Sequence, residues 1–333
     1  MKKFGITLLG LPTLRTVKLC KAAEDVGFDN AWIADESPSP PFRDATVNMT
    51  AILLETRKIK VGSSIFVPYT RHPALLAVFM STLNELAEGR LILGLGPGGS
   101  LMMTPLGIQM WDRPLTALRE ATIIIKRLFS GDIVTFEGEV FKLKEAYLPE
   151  PPKTSVPIYL AARGPKMLEL AGEVADGCLL SVPGDYVGSA IELVKKGAES
   201  MGRRLEDVQI ANMSLFDPDS DKRKAIDLIK PRTTHMVADS PNIVYERSGI
   251  DLERVEAIRQ AIRRGSREEA LCLITDDIVE KMSIVGSVEE CSRKIEEQFK
   301  AGLNQIIFNI PRDIVSEELI KQTGERIVQV LKG

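Results

Sequence analysis

Three stretches of the chain carry residue types that do chemistry. The first, Arg90–Gly99, reads R-L-I-L-G-L-G-P-G-G. Its apolar half has the length of a buried strand, and the glycines of its second half let a backbone turn sharply or come close to something flat or anionic. The second, Ala161-Ala162-Arg163-Gly164-Pro165-Lys166, sets a glycine and a proline just before a helix and so leaves backbone N–H groups pointing out of the helix N-terminus. With Arg163 and Lys166 adding charge, that end attracts phosphate. Gly177, next to Cys178 in A-D-G-C, allows a close backbone approach on the neighbouring strand. The third stretch, Asp35-Glu36, is the paired acid at a strand end, able to orient a substrate, accept a ring N–H or exchange a proton. Asp35 has the alternative of capping the turn that follows.

Gly94, Gly96 and Gly99 satisfy G-x-G-x-x-G, but the context does not fit a dinucleotide site. Pro97 lies inside the motif and Pro105 follows before a helix can form. The strand that should bring a ribose-binding acid about 20 residues on is missing. Nor does any G-x-S-x-G, H-E-x-x-H, G-K-[ST] or S-x-x-K occur. A chain with glycine elbows, an anion clamp and few acids or bases points to chemistry that belongs to a bound cofactor. His72, with Arg71 in P-Y-T-R-H-P, precedes a helix and is expected to hold the loop or a phosphate, while His235 is assigned no role.

Composition narrows the classes further. Cys20, Cys178, Cys272 and Cys291 are far apart, and there are 2 histidines, so neither a disulfide framework nor a metal site is expected. A net charge of −3 with no basic run gives no footprint for nucleic acid. No charged leader and no apolar run of about 18 residues suggests secretion or membrane insertion. A cytoplasmic protein is expected.

The elements that must position these residues alternate regularly. Strand patterns fall at Phe4–Leu9, Asp29–Ala34, Lys58–Ile65, Arg90–Gly96, Val156–Ala161, Asp176–Ser181, Val208–Ser214 and Ile306–Ile310. Helical patterns fall between them, at about Leu14–Val26, Ala45–Glu55, Pro73–Glu88, Pro114–Phe129, Pro165–Glu173 and Gly184–Met201, with a last one over Glu317–Leu331. A short hairpin, Ile133–Phe136 with Val140–Leu143, interrupts the rhythm. Eight such units are what a (β/α)8 TIM barrel requires, and 333 residues suit one barrel domain. Residues 218–302, between strands seven and eight, read as a helical excursion of that domain, with stops at Pro231, Gly249, Gly265 and Gly286. In such barrels the reactive groups lie where strands end.

Taken together, A-E-D-V-G-F-D-N-A-W-I-A-D (Ala23–Asp35), K-I-K-V-G (Lys58–Gly62), P-Y-T-R-H-P (Pro68–Pro73), G-R-L-I-L-G-L-G-P-G (Gly89–Gly98) and P-I-Y-L-A-A-R-G-P-K-M-L-E-L-A-G-E-V-A-D-G (Pro157–Gly177) resemble the luciferase-like family of flavin and deazaflavin enzymes. Within it the chain is most similar to the methylenetetrahydromethanopterin reductases, and V-Y-E-R-S-G-I-D (Val244–Asp251) and M-S-I-V-G-S (Met282–Ser287) extend the likeness. The resemblance implies a bacterial-luciferase-like barrel, coenzyme F420 as cofactor with FMN as the alternative, and a homodimer. It implies hydride transfer from the reduced deazaflavin to a methylene carbon held as an iminium on a pterin-like carrier. A luciferase-like monooxygenase and a non-catalytic flavin-binding relative are the other readings.

Carried over residue by residue, cofactor contacts fall on Asp35, Ser64, Ile65, Gly96, Pro97, Gly98, Ala162, Arg163, Gly164, Pro165, Gly177 and Cys178, with Glu36 and Asp35 as catalytic candidates. A non-prolyl cis peptide is implied between Ser64 and Ile65. The chain departs from those reductases at Thr7, where they carry a glutamate, at Glu36 (a histidine), at Gly99 (an acid after G-P-G) and at Arg163 (a glutamine). The strand-eight end, Asn309–Asp313, also lacks their S-P-x-G-P-D pattern. These departures lie where substrate would be read.

Overall fold

In a computed structural model of the chain, the structure describes residues 2–35, 43–99, 103, 107 and 113–333, without the side chain of His235. Apolar strands that run parallel must bury both faces, and this chain does so by closing the sheet on itself. Strands β1 (Lys3–Thr7), β2 (Asn30–Ile33), β3 (Lys60–Ser63) and β4 (Leu91–Leu95) pair in sequence. The two-stranded ribbon β5 (Val134–Glu137) and β6 (Lys142–Ala146) stands apart. The wall resumes with β7 (Ile158–Ala162), β8 (Gly177–Leu180), the long β9 (Gln209–Asp217) and β11 (Gln305–Asn309), which returns to β1.

The helices between strands turn their apolar stripes onto this wall. They are α1 (Thr13–Asp25), α2 (Ala45–Glu55), α3 (Pro73–Ala87), α4 (Pro114–Phe129), α5 (Pro165–Val174) and α6 (Val187–Ser200). Pro73, Pro114 and Pro165 each stand at the first helical position, where a missing N–H costs nothing. The last helical segment runs from α13 (Glu317–Thr323) through a π turn, Gly324–Val328, to Gln329–Lys332.

The barrel floor is filled by aromatic rings. Trp32 and Tyr159 lie 5.5 Å apart between ring centres, with Ile92, Leu179, Ala211 and Ile307 around them. Glycines on the flanking strands make the room: a Cβ on Gly62 would stand 2.7 Å from the Trp32 ring, and one on Gly177 would stand 2.6 Å from the Tyr159 ring.

The excursion is helical as the sequence indicates, with two corrections. Pro231 does not stop a helix, because α7 runs unbroken over Lys222–Asp239. Ile226 and Ile229 before the proline and Thr233, Met236 and Val237 after it are all buried, so packing holds the helix through one missing hydrogen bond. The segment also contains a three-residue strand, β10 (Ser283–Val285), which pairs with the far end of β9. Its other helices are α8 (Asn242–Arg247), α9 (Leu252–Arg263), α10 (Arg267–Leu273), α11 (Asp276–Met282) and α12 (Val288–Lys300). They enclose a second apolar cluster that shares Leu215 and Val285 with the sheet. Among the described residues no helix is long and apolar enough to cross a membrane.

Candidate active site

At the carboxyl ends of the strands the wall opens into a cavity of about 1290 Å³. How β3 ends decides its shape. After Ser63 the chain leaves the sheet, and the Ser64–Ile65 peptide bond is cis, as the resemblance implies. The break is sutured to β4: Ser63 Oγ donates to the Gly94 carbonyl at 3.0 Å and accepts from the Gly94 N–H at 2.9 Å, while Phe66 N–H donates to the same carbonyl at 2.9 Å. A Cβ on Gly94 would sit 2.0 Å from the Ser63 carbonyl oxygen, so only glycine fits beside this bulge. Ser64 Oγ is buried without a hydrogen-bond partner among the described residues. Such a hydroxyl, on the wall of a cavity, is suited to a polar atom of a bound molecule.

Behind Ile65 stands Gly96, where a Cβ would meet the Ile65 side chain at 2.9 Å and Ala161 at 3.0 Å. Gly96 therefore seats the residue that faces the cavity and does not itself line it. Pro97 and Gly98 do line it, and the Tyr69 hydroxyl donates to the Pro97 carbonyl. Gly98 adopts a φ of 77° with a would-be Cβ 3.0 Å from that hydroxyl, two reasons for glycine at one position.

At the end of β7, Ala162, Arg163, Gly164, Pro165 and Lys166 all line the cavity. Gly164 is the N-cap of α5 and offers no side chain to the first turn, where Pro165 has no N–H and Met167 N–H donates to the Gly164 carbonyl at 3.1 Å, which leaves the Lys166 N–H. Arg163 Nη1 donates to Ser240 Oγ at 3.3 Å. Burial lowers the Arg163 pKa from its ordinary value, with Tyr245 and the Asp239 carboxylate pushing the other way. Two cations beside an uncapped helix start favour an anion there.

Asp35 lines the cavity too, but its carboxylate is clamped. Arg71 Nε donates to Oδ2 at 2.7 Å and Arg71 Nη2 to Oδ1 at 3.1 Å, a bidentate pair, while Nη2 also reaches Asp44 at 2.8 Å. Asp44 in turn caps α2 by accepting from Thr46 N–H at 2.8 Å. Asp35 thus holds the loop geometry, and Arg71 holds a loop through carboxylates instead of a phosphate. His72 also serves the fold: Nδ1 accepts from Ala74 N–H at 3.2 Å at the start of α3, and burial lowers its pKa. Glu36 lies outside the described residues.

Besides Gly96, two expected contacts are placed elsewhere. Gly177 and Cys178 open β8 at the end of the barrel opposite the cavity and do not line it. Gly177 makes room for the Tyr159 ring, and Cys178 is fully buried, its thiol pKa pushed up by burial. Thr7 is likewise buried, its hydroxyl donating to the Trp32 carbonyl at 2.9 Å. The sequence reading also missed a wall. Pro231, Arg232, Met236, Asp239 and Pro241 of the excursion line the cavity, with Arg312 and Asp313 after β11. Gly164 permits that wall to close in, since a Cβ there would meet Pro241 at 3.0 Å. The pattern that could have shown it was the unbroken apolar face spanning Pro231.

An eight-stranded parallel barrel whose strand ends enclose an apolar cavity with an anion clamp and a bulged β3 defines a cofactor-binding enzyme scaffold. Residues 10–305 match the family described as luciferase-like monooxygenase, and the chain belongs to that family. The 5,10-methylenetetrahydromethanopterin reductase of Methanolobus tindarius is 36% identical over 329 residues, covering 98% of this chain and 99% of the relative. Among solved structures, the coenzyme F420-dependent tetrahydromethanopterin reductase of Methanopyrus kandleri superposes with a TM-score of 0.87 at 33% identity, over 98% of this chain and 99% of that one. An F420-dependent secondary alcohol dehydrogenase in complex with an F420-acetone adduct shares the fold, with a TM-score of 0.80 at 23% identity and 99% coverage of both chains.

Proposed function

We propose that the chain is an F420-dependent oxidoreductase that reduces a methylene-tetrahydropterin of the 5,10-methylenetetrahydromethanopterin type. The observation that carries the reading is the joining of a full-length likeness to such a reductase with a cavity whose residues fit F420. The fit rests on the buried Ser64 hydroxyl, the apolar Ile65 face and the cationic start of α5. When bound, F420 supplies a hydride from its reduced ring.

The chain's own residues do the rest. Ser64, Ile65, Pro97 and Gly98 would hold the flat portion, and Ala162, Arg163, Gly164 and Pro165 with Lys166 would hold a phosphate. Leu9, Val67, Met103, Met213 and Met236 make the walls apolar, which excludes water and strengthens the electrostatic contacts inside. A hydride delivered to a cationic carbon neutralises it, so the site needs placement and field more than a strong acid or base. Asp35, held by Arg71, sets the shape of that wall; Glu36 remains the candidate for direct contact with substrate.

We read residues 218–302 as part of the barrel domain and the molecule as a homodimer. Exposed Val47, Leu54, Leu75, Val78 and Leu86 on α2 and α3 support a symmetric apolar interface. Titration with F420 and with FMN, followed by ring fluorescence, and anaerobic mixing of reduced F420 with methylene-tetrahydromethanopterin test the reading. Saturable F420 binding with oxidation of the deazaflavin supports it, and tight FMN binding without F420 binding overturns it.

A further inference from the structure

The excursion meets the end of β7 at one corner, residues 236–242, where α7 ends and α8 begins. Met236 and Pro241 of this corner line the cavity, and Pro241 stands 3.0 Å from where a Cβ on Gly164 would be. Ser240 lies between them, 2% exposed and outside the cavity lining. Its Oγ accepts from Arg163 Nη1 at 3.3 Å and donates to the Met236 carbonyl at 2.8 Å. A guanidinium carries five N–H donors, and this is the one hydrogen bond that Arg163 makes among the described residues. The rest of the fork can meet an anion while Ser240 fixes its direction.

The corner is itself held from behind. A helix end leaves carbonyls without N–H partners, and here α9 supplies the donors. Arg259, its side chain 15% exposed, donates through Nε to the Val237 carbonyl at 3.3 Å, through Nη1 to Asn242 Oδ1 at 2.6 Å and through Nη2 to the Ser240 carbonyl. The same guanidinium lies over the Tyr245 ring, 5.5 Å from its centre, and the Tyr245 hydroxyl is directed at the Met236 and Val237 carbonyls at 3.1 and 3.2 Å. Glu256, the carboxylate next to Arg259 at 3.8 Å, is engaged by Arg263. All three nitrogens of Arg259 thus serve the corner and not an ion pair on its own helix.

Resting on the functional reading above, in which Arg163 meets the cofactor's phosphate, we propose that Ser240 and Arg259 are positioning residues of the cofactor site. Arg259 fixes the corner between α7 and α8, Ser240 of that corner fixes the Arg163 fork, and both act on the cofactor through Arg163 alone. An arginine already held in its binding direction gives up little freedom when the anion arrives. The excursion therefore does more than wall the cavity. It presets the cation that distinguishes a phosphate-bearing ring from the same ring without a phosphate.

The test uses the full chain and compares Ser240→Ala, Arg259→Met, Arg259→Lys and Arg163→Gln with the double variants Arg163→Gln/Ser240→Ala and Arg163→Gln/Arg259→Met. Two probes are titrated by ring fluorescence: F420, and the same deazaflavin without its phosphate-bearing tail. Ser240→Ala and Arg259→Met are each expected to weaken F420 binding about fivefold, the cost of ordering one long side chain on binding, and to leave the affinity for the phosphate-free ring unchanged. Arg259→Lys, which keeps the charge, should lose less. In the Arg163→Gln background neither change should weaken F420 binding further. An equal loss for both probes, or the same loss with and without Arg163, shows a structural role and overturns the proposal. Should Arg259→Met not fold, Ser240→Ala and Arg259→Lys decide by the same split between the probes. If Arg163→Gln weakens F420 binding while Ser240→Ala does not, the phosphate placement stands and the proposal alone is removed; if Arg163→Gln changes nothing, that placement falls and the proposal falls with it.

Discussion

Replacing Arg71 with methionine removes the cation that joins the loops after β2 and β3 and leaves two carboxylates facing one another. The side chains of Arg71 and Asp35 are 30% and 13% exposed. Exposed pairs contribute roughly 0–1 kcal/mol, and breaking a buried one costs roughly 3–5 kcal/mol, so this half-buried bidentate pair should be worth about 2 kcal/mol. For a chain of this size that corresponds to a fall of about 3 °C in Tm. Asp35→Asn should cost a similar amount, because the guanidinium then loses its best partner. The double variant should fall short of the sum by about 2 kcal/mol, the worth of the pair, since the second change removes a contact already lost. Thermal unfolding of the four proteins at fixed pH completes the cycle. Additivity within about 0.5 kcal/mol would show that the two residues do not share this clamp.

The other predictions concern packing, charge and pH. Gly96→Ala should fold but push Ile65 into the cavity, costing about 1–3 kcal/mol of stability and weakening F420 binding; Gly94→Ala, with a Cβ 2.0 Å from a backbone oxygen, should yield little folded protein, as soluble expression will show. Arg163→Gln should weaken F420 binding roughly tenfold, less at high salt, and unchanged affinity would place its side chain outside the cofactor site. Burial pushes the Glu24 pKa up, but the N–H groups of Ile59, Lys58 and Arg57 and the charge of Arg90 outweigh it and leave the pKa lowered. Its stabilisation is then present above the ordinary carboxyl value and lost as pH falls through the folded-state value, so Glu24→Gln should destabilise at neutral pH and converge with the parent in acid. Asp217 runs the other way: burial and then Asp219 push it up to about 6, so the protein should lose stability as pH rises towards that value, and Asp217→Asn should gain on the order of 2 kcal/mol at pH 7 and nothing near pH 3.

Much of this architecture was legible in the sequence because its period is local. α2 and α4 run over Ala45–Glu55 and Pro114–Phe129, the bounds their apolar spacing and leading proline indicate. The strand ends that gather Ser64, Ile65, Pro97, Gly98 and Ala162–Pro165 round one cavity were legible for the same reason, since a barrel puts every carboxyl end on one face. Gly177 misled because a glycine on a strand reads alike whether it admits a ligand or a neighbouring ring, and only the position of Tyr159 distinguishes the two. Pro231 misled because its local cost is real, while the buried residues that outweigh it lie on other elements.

The interlocked floor of the barrel bears on how such proteins diversify. Gly5, Gly62 and Gly177 lie on three different strands, and each owes its lack of a side chain to a ring or chain on a neighbouring strand: Trp32 for Gly62, Tyr159 for Gly177, and Gln305, Ile307 and Trp32 together for Gly5. A smaller residue at Trp32 would leave a hole that no single compensating change could fill, and a larger one at any glycine would collide, so drift on the floor requires simultaneous changes on separate strands. The rim is assembled differently, from separate loops and from α7, and its close contacts are local ones, such as Gly98 with Tyr69 and Gly164 with Pro241. Change that the fold tolerates one residue at a time is thereby channelled to the mouth, while the floor beneath stays fixed.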